Sequence, residues 1–399
     1  MHPKGDLRVA HIGNLSNASY TNVKFLRQTG IVADLFISYK SMDQYGSPVI
    51  RASSDPRSED ALEDFPEFVK LWEARPLIAL PFRLCKLASV LRTYDIINAY
   101  TESPIFVQFV RKPYIAFATG SDLREMAVGS SGRARDRANI IYWLKGKLLR
   151  RAYRKASACL FTDLDSRTLS AIAEIGIKNA SFIPYIVDAD MYRPLDVTCL
   201  KSKRGAEFIV FSAARQDWYM NGSNLLISAF SEFVKKCCRN SLLILMRSGE
   251  DVDRSIELVR ELEMNENVVF LNDMSKQELI EYYNLADVVA GYFKSDKWGV
   301  PHFPLTIHEA MACGRPVLTY FEADNCRRFF SEVPPLIYAG NEREICEKLI
   351  DLHDQKRQGL LDRYSWLSRK WIVEHNHWQK VTEIFVRTYR SVTVGEAGE

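Results

Sequence analysis

Several kinds of protein are excluded by what this 399-residue chain does not contain. It has no uninterrupted apolar run of about 18 residues, the length a helix needs to span a bilayer. Its start, MHPKGDLRVAHIG, passes straight into a strand-like run without the apolar core of a secretory signal. No G-x-G-x-x-G turn is present, so the dinucleotide-binding fingerprint is missing. The eight cysteines form no C-x-x-C pair. Cys85, Cys159, Cys313 and Cys346 have apolar neighbours and are expected to be buried thiols of a reducing compartment. Excess charge is lacking: 53 basic and 50 acidic residues give a net charge of +3, which indicates no general nucleic-acid-binding surface. His302 and His308 are six apart, with His302 in a loop, and share no helical face as a metal pair would. No repeats or low-complexity segments interrupt the chain. The expectation is a cytoplasmic globular protein.

What is present is 47% hydrophobic and 26% charged residues, in a chain whose length suits two domains of about 200 residues. Apolar, β-prone runs alternate with helical patterns. Leu7 to Gly13 leads through Asn14 into a helix from Tyr20 to Gln28. Strands follow at Val32 to Tyr39, Asp95 to Tyr100, Pro113 to Ala118, Ala158 to Thr162 and Ser181 to Val187. The charged, aperiodic stretch Thr198 to Arg204 reads as a linker. A second series then begins with Phe208 to Ala214 and continues through Leu242 to Met246, Val268 to Leu271 and Asp287 to Tyr292. Alternation of this kind implies an α/β fold with parallel sheets. In such sheets ligands bind at the carboxyl ends of strands, which makes Asn14, at the first such turn, a candidate.

Three stretches carry chemistry. In the first, Arg215 lies at the lip of a strand–helix turn that runs on to Asn221-Gly222-Ser223-Asn224. A guanidinium beside the free amides of a helix start makes an anion site, although an Arg capping its own turn has the same appearance. In the second, Phe303 to Tyr320 reads as loop, helix, turn and buried strand. Pro304 suits the helix opening, and Glu309 is placed in its early turns, where the helix dipole favours a carboxylate. Ala310, Ala312, Cys313 and Gly314 leave room for a neighbouring backbone or a ligand. Glu309 is open to two readings here, a dipole-stabilised side chain at a structural joint or a nucleotide-binding carboxylate. In the third, Arg133 to Lys155 holds nine basic residues and one acidic, Asp136, interleaved with Ile140, Ile141, Trp143, Leu144, Leu148, Leu149 and Tyr153. That pattern fits a helix lying on an anionic lipid surface, and equally a core-packed helix with a solvated cationic face.

The run E-A-M-A-C-G-x-P-V from Glu309 resembles the signature of retaining, nucleotide-sugar-dependent glycosyltransferases of family 4, the glycosyl transferases group 1. I-P-Y-I-V-D-A-D-M-Y-R-P (183–194) is similar to the segment that closes their first domain. The resemblance implies the GT-B fold, two Rossmann-like domains facing across a cleft. An acceptor domain would span 1–197 with a returning helix at 378–394, and a donor domain 198–377. It implies a UDP- or GDP-linked sugar as donor and a hydroxyl acceptor, glycan or lipid-linked. The reaction would retain anomeric configuration and use no metal and no cofactor beyond the donor. Glu309 would hold the ribose, with Phe303, Pro304 and Leu305 beside it, and Arg215 and Gly222 would serve the diphosphate. Asn221 stands where the family has Lys, Thr119 where it has His in H-G-S-D, and Pro301 where it has a first Glu. Thr119 donates a hydrogen bond but is no base near neutral pH. Asp296 would be a replacement carboxylate for the donor sugar, or else an ordinary turn-forming Asp of the loop. Asp122 and Arg124 either belong to this turn or cap the next helix. These exchanges also suit a non-catalytic, sugar- or partner-binding scaffold, the alternative reading. An acceptor linked to lipid, in polysaccharide or cell-envelope synthesis, would bring the enzyme to the inner membrane face through residues 133–155.

Overall fold

A computed structural model describes residues 7–14, 18–38, 66–72, 80–129, 139–198, 205–272, 274–293 and 303–395. They divide into two compact units, one comprising the chain up to Ile186 together with Trp378 onward, the other Val187–His377. Residues 199–204, within the expected linker, lie outside the described residues.

The first unit is built on β1 (Arg8–Ile12), β2 (Val32–Ser38), β3 (Val69–Trp72), β4 (Ile96–Tyr100), β5 (Tyr114–Ala118), β6 (Ala158–Phe161) and β7 (Ala180–Phe182). They form one parallel sheet in the order β3-β2-β1-β4-β5-β6-β7. Strands β4 and β5, IINAY and YIAFA, are buried throughout, as central parallel strands covered on both faces must be. The helices are α1 (Ala18–Gln28), α2 (Leu80–Leu91), α3 (Pro104–Val107), the π-helical α4 (Asp122–Ala127), α5 (Ile140–Lys155) and α6 (Ser166–Ile175). Strand β7 ends at Phe182, so the strand expected through Val187 is cut short. Instead the Val187 amide donates to the Asn376 carbonyl at 3.0 Å, and an isolated bridge pairs Val187 with His377.

The second unit carries β8 (Phe208–Ser212), α7 (Ser223–Lys236), β9 (Ser241–Met246), α8 (Val252–Glu261), β10 (Val268–Leu271), α9 (Lys276–Leu285) and β11 (Val288–Ala290). After these come α10 (Leu305–Ala312), β12 (Val317–Thr319), α11 (Ala323–Cys326), β13 (Ile337–Tyr338), α12 (Glu342–Arg357) and α13 (Leu361–His375). Its sheet is parallel, in the order β10-β9-β8-β11-β12-β13. Phe208, Phe230, Phe233, Leu243 and Leu349 centre its core. The last helix, α14 (Trp378–Gly395), packs in the first unit, where Val381, Phe385 and Tyr389 join the core of Val9, Leu26, Leu35 and Ile115.

One expected thiol is placed differently. Cys85 is exposed, whereas Cys159, Cys313 and Cys346 are buried. Helix α2 buries Leu87, Ala88 and Leu91, and Cys85 falls off that stripe.

Candidate active site

In each sheet the chain builds outward on one side of the first strand and then returns to build on the other. The reversal lies between β1 and β4 in the first unit and between β8 and β11 in the second. The crevice outside the carboxyl ends of such strands is where open α/β sheets bind ligands.

In the second unit this end is formed by the turn from β8 to α7 and the segment after β11. Hydrogen bonds within the turn fix its shape. The Asn221 Nδ2 donates to the Arg215 carbonyl at 2.9 Å, the Met220 amide donates to Asp217 Oδ1 at 2.8 Å, and the Trp218 amide donates to Asp251 Oδ2 at 2.8 Å. Asn221 is buried, and its amide braces the loop from within, at the position where the resemblance leads one to expect a Lys. Gly222 caps α7 in the left-handed region at φ +64, and a Cβ there would meet the Phe293 carbonyl oxygen at 2.6 Å. Only glycine allows that approach. Among the described residues no side chain caps the helix, and the Ser223 hydroxyl at its first position is buried without a hydrogen-bond partner. A half-buried Arg215, the uncapped first amides of α7 and the buried Ser223 hydroxyl thus lie together at this strand end.

Helix α10 follows in the same unit. Pro304 is its N-cap, and Leu305 opens it. Phe303 is buried, its ring 3.9 Å from that of His308, whose Nδ1 lies 2.9 Å from the Pro304 carbonyl oxygen. Burial lowers the His308 pKa to about 4, so the neutral ring donates Nδ1–H to that carbonyl. Glu309 is buried one turn further on. The carboxylate falls in the second turn, within the early turns expected, where the effect of the helix end is already weaker than in the first. Its partners are hydroxyls. Tyr283 Oη donates to Glu309 Oε2 at 3.1 Å and Tyr192 makes a second side-chain bond, while burial raises the carboxyl pKa. The small residues after it make room for protein. Arg369 Nη1 donates to the Ala312 carbonyl at 2.9 Å, and a Cβ on Gly314 would touch Pro194 and Ser365 at 3.3 Å. Neither tyrosine was singled out in the sequence, although Tyr192 lies within the 183–194 run. Pro301, Asp296 and His302 lie outside the described residues.

In the first unit the strand ends carry Asn14 and Thr119. Asn14 is buried, and its Oδ1 accepts from Ser19 Oγ at 2.7 Å and the Tyr20 amide at 3.3 Å, which ties the β1–α1 turn to the helix it opens. Thr119 is half-buried, and its amide donates to both carboxylate oxygens of Asp122, at 3.1 and 3.2 Å. Asp122 in turn accepts from Tyr153 Oη at 2.8 Å. These bonds tie Asp122 to the turn before it. Arg124 is buried against Asp163 at 2.5 Å and Asp165 at 2.9 Å, a structural ion cluster. Burial raises Asp163 against the pull of Arg124.

Of the segment 133–155, residues 139–155 are described, and α5 begins where Asn139 Oδ1 accepts the Ile141 amide at 2.9 Å. The helix buries Gly146, Leu149, Ala152 and Tyr153. A Cβ on Gly146 would run into the Met126 carbonyl, so glycine lets α5 lie directly on α4. The remaining apolar residues do not pack inward: Ile140 is 71% exposed, Ile141 62% and Trp143 55%, with Leu144 and Leu148 also exposed. Lys147, Arg150, Arg151, Arg154 and Lys155 line a concavity on the same helix. Among the described residues no helix is long and apolar enough to cross a membrane.

Residues 191–358, within the second unit, match the family model described as Glycosyl transferases group 1. D-inositol 3-phosphate glycosyltransferase of Nocardia farcinica is 30% identical over 145 residues, 34% of this chain and 31% of that protein. The match thus spans about a third of the length of this curated relative. Among solved structures, Anabaena HepE in complex with UDP and glucose aligns with a TM-score of 0.71 at 14% identity, over 96% of this chain and 100% of that one. Sucrose-phosphate synthase of Thermosynechococcus elongatus aligns at 0.70 and 16%, over 98% and 100%. The fold is that of GT-B glycosyltransferases.

Proposed function

We propose that the protein transfers a sugar from a nucleotide diphosphate sugar to a hydroxyl acceptor, with retention of anomeric configuration and without a metal. The observation that carries this reading is the grouping of Arg215, uncapped amides and buried hydroxyl at the start of α7. It lies at the reversal point of the second sheet and inside the stretch that matches the group 1 family. Arg215 and the uncapped amides of α7 would hold the diphosphate and stabilise the charge that develops as it leaves. Glu309, with Tyr192 and Tyr283 orienting it, would accept from the ribose hydroxyls. Phe303, Pro304 and Leu305 border that carboxylate along the chain, and Asp296 would face the sugar. Thr119 cannot take the acceptor's proton near neutral pH, so the departing phosphate would receive it. HepE, in its complexes with UDP, with glucose and with UDP-glucose, supports a UDP-linked donor, with a GDP-linked one the alternative.

The exposed apolar and basic side chains of α5 favour a surface carrying negative charge. The acceptor on this reading is a lipid-linked or cell-envelope glycan, met at the inner membrane face by an otherwise cytoplasmic protein. Incubation with UDP- and GDP-sugars tests the reaction, because transferases pass sugar slowly to water when no acceptor is present. Release of nucleoside diphosphate from one donor, lowered roughly 10- to 150-fold in Arg215→Ala, is expected. Release from no donor, together with no nucleotide binding, would favour the scaffold reading that the exchanges at Thr119, Asn221 and Pro301 suggest.

A further inference from the structure

At the amino end of β8, opposite the strand end that leads to Arg215, three metal-ligating side chains converge. Glu207 immediately precedes β8, Cys238 follows the C-cap of α7, and His353 lies in α12. A carboxylate oxygen, the thiol sulfur and a ring nitrogen lie within 4.8 Å of one another. His353 Nε2 is 3.2 Å from Glu207 Oε1, and His353 Nδ1 is 3.4 Å from Cys237 Sγ. His353 and Cys238 are buried, and Phe208 and Phe233 wall the imidazole edge-on. The 14-residue α7 ends here, so its partial negative charge favours a cation. The ammonium of Lys356 is held by the Glu207 carbonyl and by Asp287 Oδ2 at 2.8 Å.

We infer that Glu207, Cys238 and His353 form a binding site for a divalent transition-metal ion of the zinc type. One thiolate, one imidazole and one carboxylate are a donor set suited to tetrahedral Zn²⁺, with the fourth position left to water. Metal–ligand bonds of about 2.0–2.3 Å place ligand atoms about 3.5 Å apart. The half-exposed Glu207 side chain reaches that spacing by rotating. With Nε2 on the ion, Nδ1–H donates to Cys237 Sγ and fixes the ring, the usual task of an outer partner. Binding releases the Cys238 thiol proton to solvent and displaces the hydrogen bond between His353 and Glu207, with no change of oxidation state. The ion would tie the end of α7, the middle of α12 and the entrance to β8 together, independently of the nucleotide end.

The test uses the full-length protein stripped with a chelator and titrated anaerobically with Co²⁺, then with Zn²⁺. One equivalent of Co²⁺ with a thiolate-to-metal charge-transfer band is expected, displaced by Zn²⁺, which also raises the melting temperature. Cys238→Ser should remove the band and weaken Zn²⁺ by about 100-fold or more. Glu207→Gln, at the exposed rim, should weaken it without disturbing the fold, and Cys85→Ser should bind as wild type. The site is refuted if no charge-transfer band appears, or if Cys238→Ser and Glu207→Gln titrate as the wild-type protein does.

Discussion

In the proposed reaction the Arg215 guanidinium stabilises the departing diphosphate at the second unit's strand ends. Replacing Arg215 by Ala should cost about 1.5–3 kcal/mol of transition-state stabilisation, the scale of a hydrogen bond to a charged group. Turnover of the true donor should therefore fall roughly 10- to 150-fold in kcat/KM. Gly222 is tested differently. With φ +64 and a Cβ meeting Phe293 at 2.6 Å, Gly222→Ala should destabilise the second unit by about 2 kcal/mol. A calorimetric scan should show its transition lowered by roughly 4–8 °C. His11 makes a prediction in pH. It is buried between Tyr100 Oη at 2.9 Å and Tyr389 Oη at 3.2 Å, and burial lowers its pKa to about 3. The unfolded imidazole titrates near 6.5, so between pH 6.5 and 3 the unfolded chain takes up a proton that the native one refuses. The stability His11 contributes is thus complete above 6.5 and lost as pH falls through that window, by about 1.4 kcal/mol per unit. Raised carboxylates such as Asp163 act in the opposite sense, but they cancel when wild type is compared with His11→Gln. Urea unfolding should show the gap between the two proteins narrowing below pH 6.

At the scale of elements, periodicity reveals existence better than environment. The central strands of both sheets were legible because such parallel strands are almost wholly apolar, as FIVFS and YIAFA are, whereas the two-residue edge strand β13 was not. Strand β3, VKLW, was missed because its central positions, Lys70 and Leu71, are exposed and no alternation marks it. Glu309 was legible as a carboxylate on a short helix, but its partners were not. Tyr192 and Tyr283 are far apart in sequence and meet it only through packing. The apolar residues of α5 were legible as a helical face, yet which of them pack inward was decided by Gly146 and Tyr153, through their contacts with Met126 and Asp122. The exposed set that remains carries a prediction. Sedimentation with anionic vesicles should fall steeply with salt, and should be lost when Ile140 and Trp143 are both changed to Glu. Equal recovery in the supernatant with and without vesicles would leave α5 as a solvated helix.

On the scale of the whole molecule, the chain crosses from one unit to the other and returns, and α14 completes the first core. Sequence resemblance is concentrated in the second unit, where the family match lies, while the fold as a whole aligns with glycosyltransferases at low identity. Nucleotide recognition by the second unit is therefore the central claim. Its most direct measurement is calorimetric titration of the full-length protein with UDP and GDP, alongside Arg215→Ala and Glu309→Ala. Glu309→Ala also leaves two tyrosine hydroxyls without an acceptor, so its folding is checked by melting first. One of the nucleotides is expected to bind at a single site, with affinity weakened roughly tenfold or more in Arg215→Ala, since about 1.4 kcal/mol corresponds to a factor of ten. Binding of neither nucleotide, or binding unchanged by both substitutions, would contradict it.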